Sequence, residues 1–276
     1  MDERIRLRLD VSYDGTDFSG WAVQPTRRTV AGVLVETLDL VLGAGAVTGL
    51  TVAGRTDAGV HATGQVCHLD VPVVVWAEHR GRLLRRLARL LPGDVRVRAM
   101  TEVPVEFDAR FSATFRRYEY RVTDAPWGVE PLRRRDTLAW PRPLDLGALN
   151  VAAAGLVGEH DFAAYCRRKE NATTLREVTR LDWRRDPDGI LVATVQADAF
   201  CQAMVRSLVG AMLTAGDGRR PVEWPAGLLA RRERSSEVTV APAHGLTLVA
   251  VGYPHDPAEY ADRADRTRRL RLPVQS

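Results

Sequence analysis

The chain has 276 residues, with 39 lysines and arginines against 35 aspartates and glutamates and a formal net charge of +4 at pH 7. A composition of 45% hydrophobic and 27% charged residues is ordinary for a globular protein and excludes a disordered chain, a collagen-like fibre and a membrane span. No stretch approaches about 18 uninterrupted apolar residues, and the start of the chain lacks the basic and apolar runs of a secretory signal. We therefore expect a cytoplasmic protein that does not bind a membrane.

Cysteine usage gives a further expectation about the compartment. Cys67, Cys166 and Cys201 lie far apart in the sequence and include no C-x-x-C pair. An odd number of widely spaced cysteines favours neither a disulfide framework nor a thiolate metal site. We therefore expect a reducing compartment.

The first part of the chain predicts one compact α/β unit. Residues 4–12 alternate apolar and polar side chains without exception, which is typical of a strand with one buried face. A turn signal at residues 13–15 and a loop through Trp21 and Pro25 separate this strand from a helix that begins near Thr29. The further predicted elements are strands at 50–53, 65–71 and 95–100 and a helix with leucines at 83, 84, 87, 90 and 91 on one side.

From about residue 101 the same kinds of element occur again. The predicted elements are a strand at 115–122, a helix at 145–156, a hairpin with strands at 178–184 and 190–196, a helix at 200–213 and a strand at 246–251. We therefore predict an α/β (α+β) protein with two similar domains, each a mixed, mainly antiparallel sheet with helices on one face. The domains are residues 1–103 and 104–255, and a charged, loosely held tail follows at 256–276.

The most unusual stretch of the sequence is the loop at 54–65, which consists of GRTDAGVHATGQ between two predicted strands. Its three glycines permit close backbone approach or a positive φ, and Arg55 and His61 flank a single carboxylate, Asp57. Such a loop can present Asp57 to a ligand. Equally, Asp57 can close an Asx-turn through neighbouring backbone amides, as Asp-Ala-Gly often does. The residues alone leave both interpretations open.

A metal site is an alternative interpretation of this loop. Asp57, His61 and His68 supply a carboxylate and two imidazoles, enough for an open hydrolytic site. If residues 65–71 form a strand, His68 shares a face with Val66 while His61 stays in the loop, so nothing in the pattern makes the donors converge. The sequence also lacks the usual motifs for nucleotide hydrolysis, nicotinamide redox chemistry and triad hydrolysis.

Two further stretches carry candidate residues. Arg116, Tyr118 and Tyr120 share one face of the strand predicted at 115–122. That arrangement suits base stacking and phosphate contact, but it is also typical of a plain sheet face. Arg206 lies beside the apolar stripe of the helix predicted at 200–213. It is either a solvated arginine or one that pairs in bidentate fashion with a carboxylate from elsewhere in the chain.

With these stretches in place, the chain closely resembles the tRNA pseudouridine synthase A family. The sequence RTDAGVH at 55–61 is highly specific to that family in this context. Supporting motifs follow in family order along nearly the whole chain: YDG at 13–15, FSGW at 18–21, FDARFSAT at 107–114, YEY at 118–120, GEHDF at 158–162, Phe200 with 204–210, and APAHGL at 241–246. The resemblance implies the pseudouridine synthase fold.

The resemblance also implies an activity and a set of site residues. The reaction is the isomerisation of uridine to pseudouridine at positions 38, 39 and 40 in the anticodon stem-loop of tRNA, with no cofactor. Asp57 matches the catalytic aspartate, and Arg206 matches the arginine that pairs with it. Tyr118 matches the tyrosine that stacks on the target base and can take the proton from C5, and Arg55 matches the arginine that helps to displace the base.

The family further implies a homodimer whose tRNA contacts both subunits, and we expect the active cleft to lie between the two domains. Two rival functions make different predictions. A tRNA-binding protein that has lost catalysis would bind tRNA without forming product, and the intact set of four matching residues speaks against it. A metal-dependent hydrolase built on the aspartate and two histidines of the metal hypothesis would contain stoichiometric metal and be inactivated by a chelator.

Overall fold

The computed structural model of the protein describes residues 3–167 and 173–271. Contacts between Cα atoms divide the chain into two compact units. The first comprises the described residues up to Thr114 together with Leu248–Leu270, and the second comprises Phe115–Thr247. These bounds differ from the predicted boundaries at residues 103 and 255.

The first unit contains an antiparallel sheet and three helices before Thr114. Its elements are, in chain order, β1 (Arg4–Tyr13), α1 (Val30–Leu42), β2 (Thr48–Val52), β3 (His61–Pro72), α2 (Val73–His79), α3 (Leu83–Leu90) and β4 (Val95–Val103). β1 pairs with β3 on one side and with β4 on the other, and β2 pairs with β3. Helix α1 packs against α3, which also contacts β4, and α2 lies against β3.

The alternation along β1 builds the core of this unit, as predicted. Leu9 and Val11 are buried, and they lie opposite Cys67 and Gln65 of β3. The hydrophobic effect favours this face because each apolar side chain removed from water stabilises the fold by roughly 2 kcal/mol. Gln65 is the exception on this face, since it is a polar side chain that is 0% exposed.

The second unit contains a mixed sheet. Its elements are β5 (Phe115–Thr123), a 3-10 turn (Pro131–Arg133), β6 (Leu138–Ala139), α4 (Leu146–Ala154), β7 (Gly158–Asp161), β8 (Leu175–Arg185), β9 (Leu191–Ala197), α5 (Met204–Gly216) and α6 (Trp224–Gly227). The strand order is β5-β9-β8-β7 with antiparallel pairing, and β6 pairs with β5 in parallel. The hairpin predicted between 178–184 and 190–196 is β8–β9, and its turn contains Gly189 at φ +82°.

The final strand and helix return the chain to the first unit. β10 (Leu246–Gly252) lies beside β3, and α7 covers Glu259–Arg271. The tail predicted to be loosely held therefore contains a helix, and its residues 272–276 lie outside the described residues. No helix within residues 3–167 and 173–271 has the length and hydrophobicity needed to span a bilayer.

Packing explains why the unit boundaries differ from the predicted domain boundaries. Phe107 and Ala109, which follow β4, are buried in one hydrophobic cluster with Ala53, Val66 and Tyr260 of α7. The ring of Phe107 lies 5.2 Å from that of Tyr260, edge to face. The segment after residue 103 and the helix after residue 255 therefore complete the core of the first unit, although neither has a strong apolar pattern of its own.

Helix α5 begins later than predicted, at Met204 instead of near residue 200. Ala203 has a φ of +66°, a left-handed conformation that cannot continue a right-handed helix. The helix is buried along most of its length. At Gly210 an added Cβ would lie 1.8 Å from the carbonyl oxygen of Thr239, so only glycine allows this close approach of the helix to the chain at 239–241.

The cysteines differ from expectation. Cys166 and Cys201 form a disulfide with their Cα atoms 5.7 Å apart, although the spacing predicted no disulfide. Their sequence separation of 35 residues indicates nothing by itself, because the fold brings the segments together. Cys67 is a free thiol buried in β3, and burial raises its pKa.

Replacement of Gly210 by alanine should destabilise the protein. The new methyl group must push the chain at Thr239 away from α5, and such overpacking typically costs about 2 kcal/mol. Urea denaturation followed by circular dichroism should therefore show a lower free energy of unfolding for Gly210→Ala. Gly227→Ala in α6 is the control, because no atom lies within 4 Å of its added Cβ. Equal stability of Gly210→Ala and the wild type would contradict this close approach.

Candidate active site

The loop that carries Asp57 connects β2 to β3. Within it Arg55 is exposed, Thr56 is buried and Asp57 is partly exposed. This alternation arises because the residues on either side of Arg55, Gly54 and Thr56, form hydrogen bonds with side chains of the first unit. The amide of Val60 donates to the carbonyl oxygen of Asp57 at 3.2 Å and closes a turn. Strand β3 begins at His61 instead of residue 65, so the loop is shorter than predicted.

Two side chains from the strands hold the start of the loop. The hydroxyl groups of Tyr13 and Thr56 share a hydrogen bond of 2.8 Å. The Nε2 atom of Gln65 donates to the Tyr13 hydroxyl at 3.1 Å and to the carbonyl oxygen of Gly54 at 2.8 Å. These bonds join the end of β1, the loop and the start of β3.

The segment at 18–21 supports the loop through its backbone. The amide of Trp21 donates to the carbonyl oxygen of Thr56 at 3.1 Å, and the amide of Gly59 donates to that of Phe18 at 3.3 Å. Gly20 has a φ of +95°, and a Cβ there would lie 2.8 Å from the carbonyl oxygen of Thr56. The motifs at 13–15 and 18–21 therefore support the loop that carries Asp57.

The donors of the metal hypothesis do not converge. His61 and His68 lie seven residues apart on one strand, roughly 20 Å along β3. Nδ1 of His61 accepts a hydrogen bond from the amide of Gly15 at 3.0 Å, and Nδ1 of His68 accepts one from the amide of Ala109 at 2.9 Å. Across residues 3–167 and 173–271, no group of three histidine, cysteine, aspartate or glutamate side chains is arranged to hold a metal ion.

The candidate face of β5 is buried. Arg116, Tyr118 and Tyr120 all point into the second unit, and Tyr118 is 8% exposed. Its ring packs edge to face against Phe200, with the centroids 5.3 Å apart. The guanidinium of Arg116 donates to the carbonyl oxygen of Asp198 at 2.8 Å. This face is therefore part of the core, with Tyr118 at its less buried edge.

Arg206 lies in the first turn of α5 and is half-buried. Its Nε donates to the carbonyl oxygen of Ala241 at 2.6 Å, and the amide of Ala241 donates to the backbone carbonyl oxygen of Arg206 at 3.0 Å. The hydroxyl group of Tyr120 donates to the neighbouring carbonyl oxygen of Pro242 at 2.8 Å. Burial raises the pKa of Tyr120, and the positive charge of Arg206 acts in the opposite direction. Thus β5 and the chain at 241–242 together orient the guanidinium.

The predicted site residues therefore belong to two different units of the chain. Arg55 and Asp57 share one loop of the first unit, whereas Tyr118 and Arg206 belong to the second. Their convergence in one cleft stays a prediction. The sequence analysis did not single out Gln65 as a site residue. The one indication of its role is that Gln65 is a polar residue paired with Val11, on the apolar face that β1 and β3 share.

Comparison with known proteins defines the class. A family model described as tRNA pseudouridine synthase matches residues 152–254. A tRNA pseudouridine synthase A from Frankia casuarinae is 60% identical over 99% of this chain and 97% of its own length. Those of Streptomyces griseus and Mycobacterium leprae are 58% and 51% identical, over 97% and 98% of this chain and 94% and 97% of their own lengths.

These similarities place the chain in the pseudouridine synthase class, which consists of isomerases. The chain belongs to the tRNA pseudouridine synthase A family, as the resemblance in its motifs predicted. Among solved structures, a Cbf5-Nop10-Gar1 complex is similar at 12% identity with a TM-score of 0.34, over 75% of this chain and 45% of that chain. The family assignment depends on the sequence relatives alone.

The environment of His68 predicts a pH dependence of stability. Burial, reinforced by the positive charge of Arg6, lowers the pKa of His68 from 6.5 to about 4 in the folded protein. As the pH falls below 6.5, the unfolded chain binds a proton that the folded protein does not. Stability is therefore lost as the pH falls, by on the order of 2 kcal/mol between pH 7 and pH 5.

Denaturation of His68→Asn at pH 7 and pH 5 tests this expectation. The asparagine Oδ1 can replace Nδ1 as the acceptor for the amide of Ala109, but it does not titrate. We expect the loss of stability between the two pH values to be smaller in this variant than in the wild type. His255→Asn is the control, because His255 is exposed. Equal losses in His68→Asn and the wild type would show that His68 does not carry the effect.

Proposed function

We propose that this protein isomerises uridine to pseudouridine at positions 38, 39 and 40 in the anticodon stem-loop of tRNA. Family membership over almost the full chain supports the reaction and the class of substrate. Within this chain, the proposal depends on one observation, the structure of the loop at 54–60. It holds the complete Arg55-Thr56-Asp57 sequence and is supported by both backbone and side-chain hydrogen bonds.

The reaction defines what the site must supply. The bond between N1 and C1′ breaks, the uracil turns, a bond forms between C5 and C1′, and the proton on C5 is released while N1 gains one. A carboxylate near C1′ can assist as a nucleophile or as a base. We assign this role to Asp57, which is partly exposed and directly follows the hydrogen-bonded segment at 54–56.

The remaining roles concern the target base. A base inside a stem must leave the stack before an enzyme can act on it, and arginine and aromatic side chains stabilise the flipped state. Arg55 is exposed next to Asp57 and can assist this displacement. Tyr118 is proposed to contact the flipped base and to take the C5 proton, and Arg206 to pair with the carboxylate of Asp57.

We further propose that the protein works in the cytoplasm as a homodimer, with one tRNA contacting both subunits and with no cofactor. The net charge of a single chain is only +4, which is modest for an RNA-binding protein. Two basic faces in a dimer would create a stronger field for the phosphate backbone.

Replacement of Asp57 by asparagine should abolish catalysis while the fold is retained. The neutral amide cannot act as nucleophile or base, so we expect the turnover number to fall by roughly a thousandfold or more. The measurement is tritium release to water from tRNA labelled at C5 of uridine, followed by mapping of pseudouridine at positions 38, 39 and 40.

Asp39→Asn on α1 is the matched control, since the side chain of Asp39 accepts a hydrogen bond from the amide of Gly45, an interaction away from the loop at 54–60 that an asparagine oxygen can also make. It should release tritium at the wild-type rate. Full activity of Asp57→Asn would overturn the assignment of the catalytic aspartate. If the wild type binds tRNA but releases no tritium, the protein is a tRNA-binding protein and not an enzyme. Loss of release on treatment with a chelator would instead favour a metal-dependent activity.

The affinity for tRNA should depend steeply on salt. Each arginine that contacts a phosphate releases counterions on binding, and the chain contains 39 lysines and arginines. We expect the dissociation constant to rise by roughly a thousandfold between about 50 and 200 mM salt. Filter binding at several salt concentrations measures the slope. A flat response would show that few phosphates are contacted.

A further inference from the structure

We propose that Tyr13, Thr56 and Gln65 form a positioning network that aims Asp57 at the reacting sugar. None of the three is assigned to contact the substrate. The network acts on the backbone immediately before Asp57, and its disruption should change the rate of the chemical step more than the binding of tRNA. This inference rests on the proposed catalytic role of Asp57.

Gln65 is the most deeply buried residue of the network. Its side chain is 0% exposed, so its polar atoms must find partners inside the protein. Nε2 donates to the Gly54 carbonyl oxygen and to the Tyr13 hydroxyl group, and Oε1 accepts from the amide of Val66 at 3.2 Å. These partners fix the orientation of the amide, because the nitrogen faces two acceptors and the oxygen faces a donor.

Tyr13 links Gln65 to the loop through hydrogen bonds of its hydroxyl group. It lies at the end of β1 and is 5% exposed, and its hydroxyl group accepts from Gln65 while sharing the 2.8 Å bond with Thr56. The ring of Trp21 lies 5.9 Å from that of Tyr13 and restricts its movement. The phenol is therefore held between the sheet and the loop.

The network holds the chain at two points with one residue between them. The Gly54 carbonyl oxygen and the Thr56 side chain are directed into the protein, so Arg55 between them is directed outward and Asp57 follows at the edge of the buried region. After Asp57 the loop is held through the backbone, by the amides of Gly59 and Val60. The buried side-chain network therefore sets the direction in which the chain enters Asp57.

This geometry gives the network a kinetic consequence. A displacement of a reacting group by about 1 Å can reduce a rate by about a hundredfold, even when the cause lies outside the site of chemistry. Because the three side chains lie behind the loop, their loss should leave most RNA contacts intact. The expected signature is a lower kcat with little change in KM or in the dissociation constant for tRNA.

Three single variants test the proposal. Tyr13→Phe and Thr56→Val each remove one hydroxyl group and keep the size of the side chain, whereas Thr56→Ser keeps the hydroxyl group. We expect kcat for tritium release to fall by about tenfold in Tyr13→Phe and Thr56→Val and to recover in Thr56→Ser. Tyr253→Phe is the matched control in the same unit, because it removes a hydroxyl group that donates to the carbonyl oxygen of Ala109, away from the loop.

A double variant distinguishes a shared network from independent effects. Tyr13→Phe combined with Thr56→Val should reduce kcat no further than the more damaging single change, because Tyr13→Phe already removes the hydrogen bond that Thr56→Val removes, together with the one from Gln65. Independent effects would instead multiply. Thermal melting of all variants identifies any loss of activity that comes from unfolding. A variant is taken as folded only if its melting temperature is close to that of Tyr253→Phe.

Three results would overturn the proposal: wild-type kcat in folded Tyr13→Phe and Thr56→Val, failure of Thr56→Ser to recover activity, or loss of tRNA binding equal to the loss of kcat. Each differs from a failure of the proposed function, in which Asp57→Asn itself retains activity. The network is therefore tested separately from the identity of the catalytic group.

Discussion

The requirement that a buried amide be hydrogen-bonded controls the geometry of the first unit around Asp57. β1 and β3 are neighbouring strands that share one buried face of the sheet, and this face includes Gln65, whose side chain has no access to water. An unpaired polar group in this position would cost about 1–3 kcal/mol, so the surrounding chain must supply partners. It does so with Tyr13 and the carbonyl oxygen of Gly54. The same bonds that satisfy the core therefore hold the loop that bears the candidate catalytic residue.

The second unit uses the same principle on a different residue. Arg206 is half-buried, and a guanidinium in such surroundings needs acceptors. Ala241 accepts from its Nε and returns a backbone bond, while Tyr120 holds Pro242 next to it. Gly245 lets this segment lie against the ring of Tyr120, because an added Cβ would be 2.6 Å from the ring. Local packing thus orients the charged group of Arg206.

Elements with a strong pattern of their own were predicted well. The alternation of β1 and the start of α1 near Thr29 are local properties, and both are confirmed. Helix α2 was missed because it opens with three valines, which favour strands, and its helical state depends on packing against β3. The helix after residue 255 was missed because its apolar contacts, such as that of Tyr260, are few and come from a cluster built by distant segments.

By itself, the sequence determined the order of the main elements and the identity of the candidate residues Asp57, Tyr118, Arg55 and Arg206. Those features depend on periodicity and on short motifs, which involve only residues close together in the sequence. Only the tertiary structure decided which side chains hold the loop and which cysteines pair. Tyr13 and Thr56 are 43 residues apart in the chain, and their hydrogen bond exists only because burial of the β1–β3 face brings them together. Contacts of this kind depend on the whole fold and leave no local pattern.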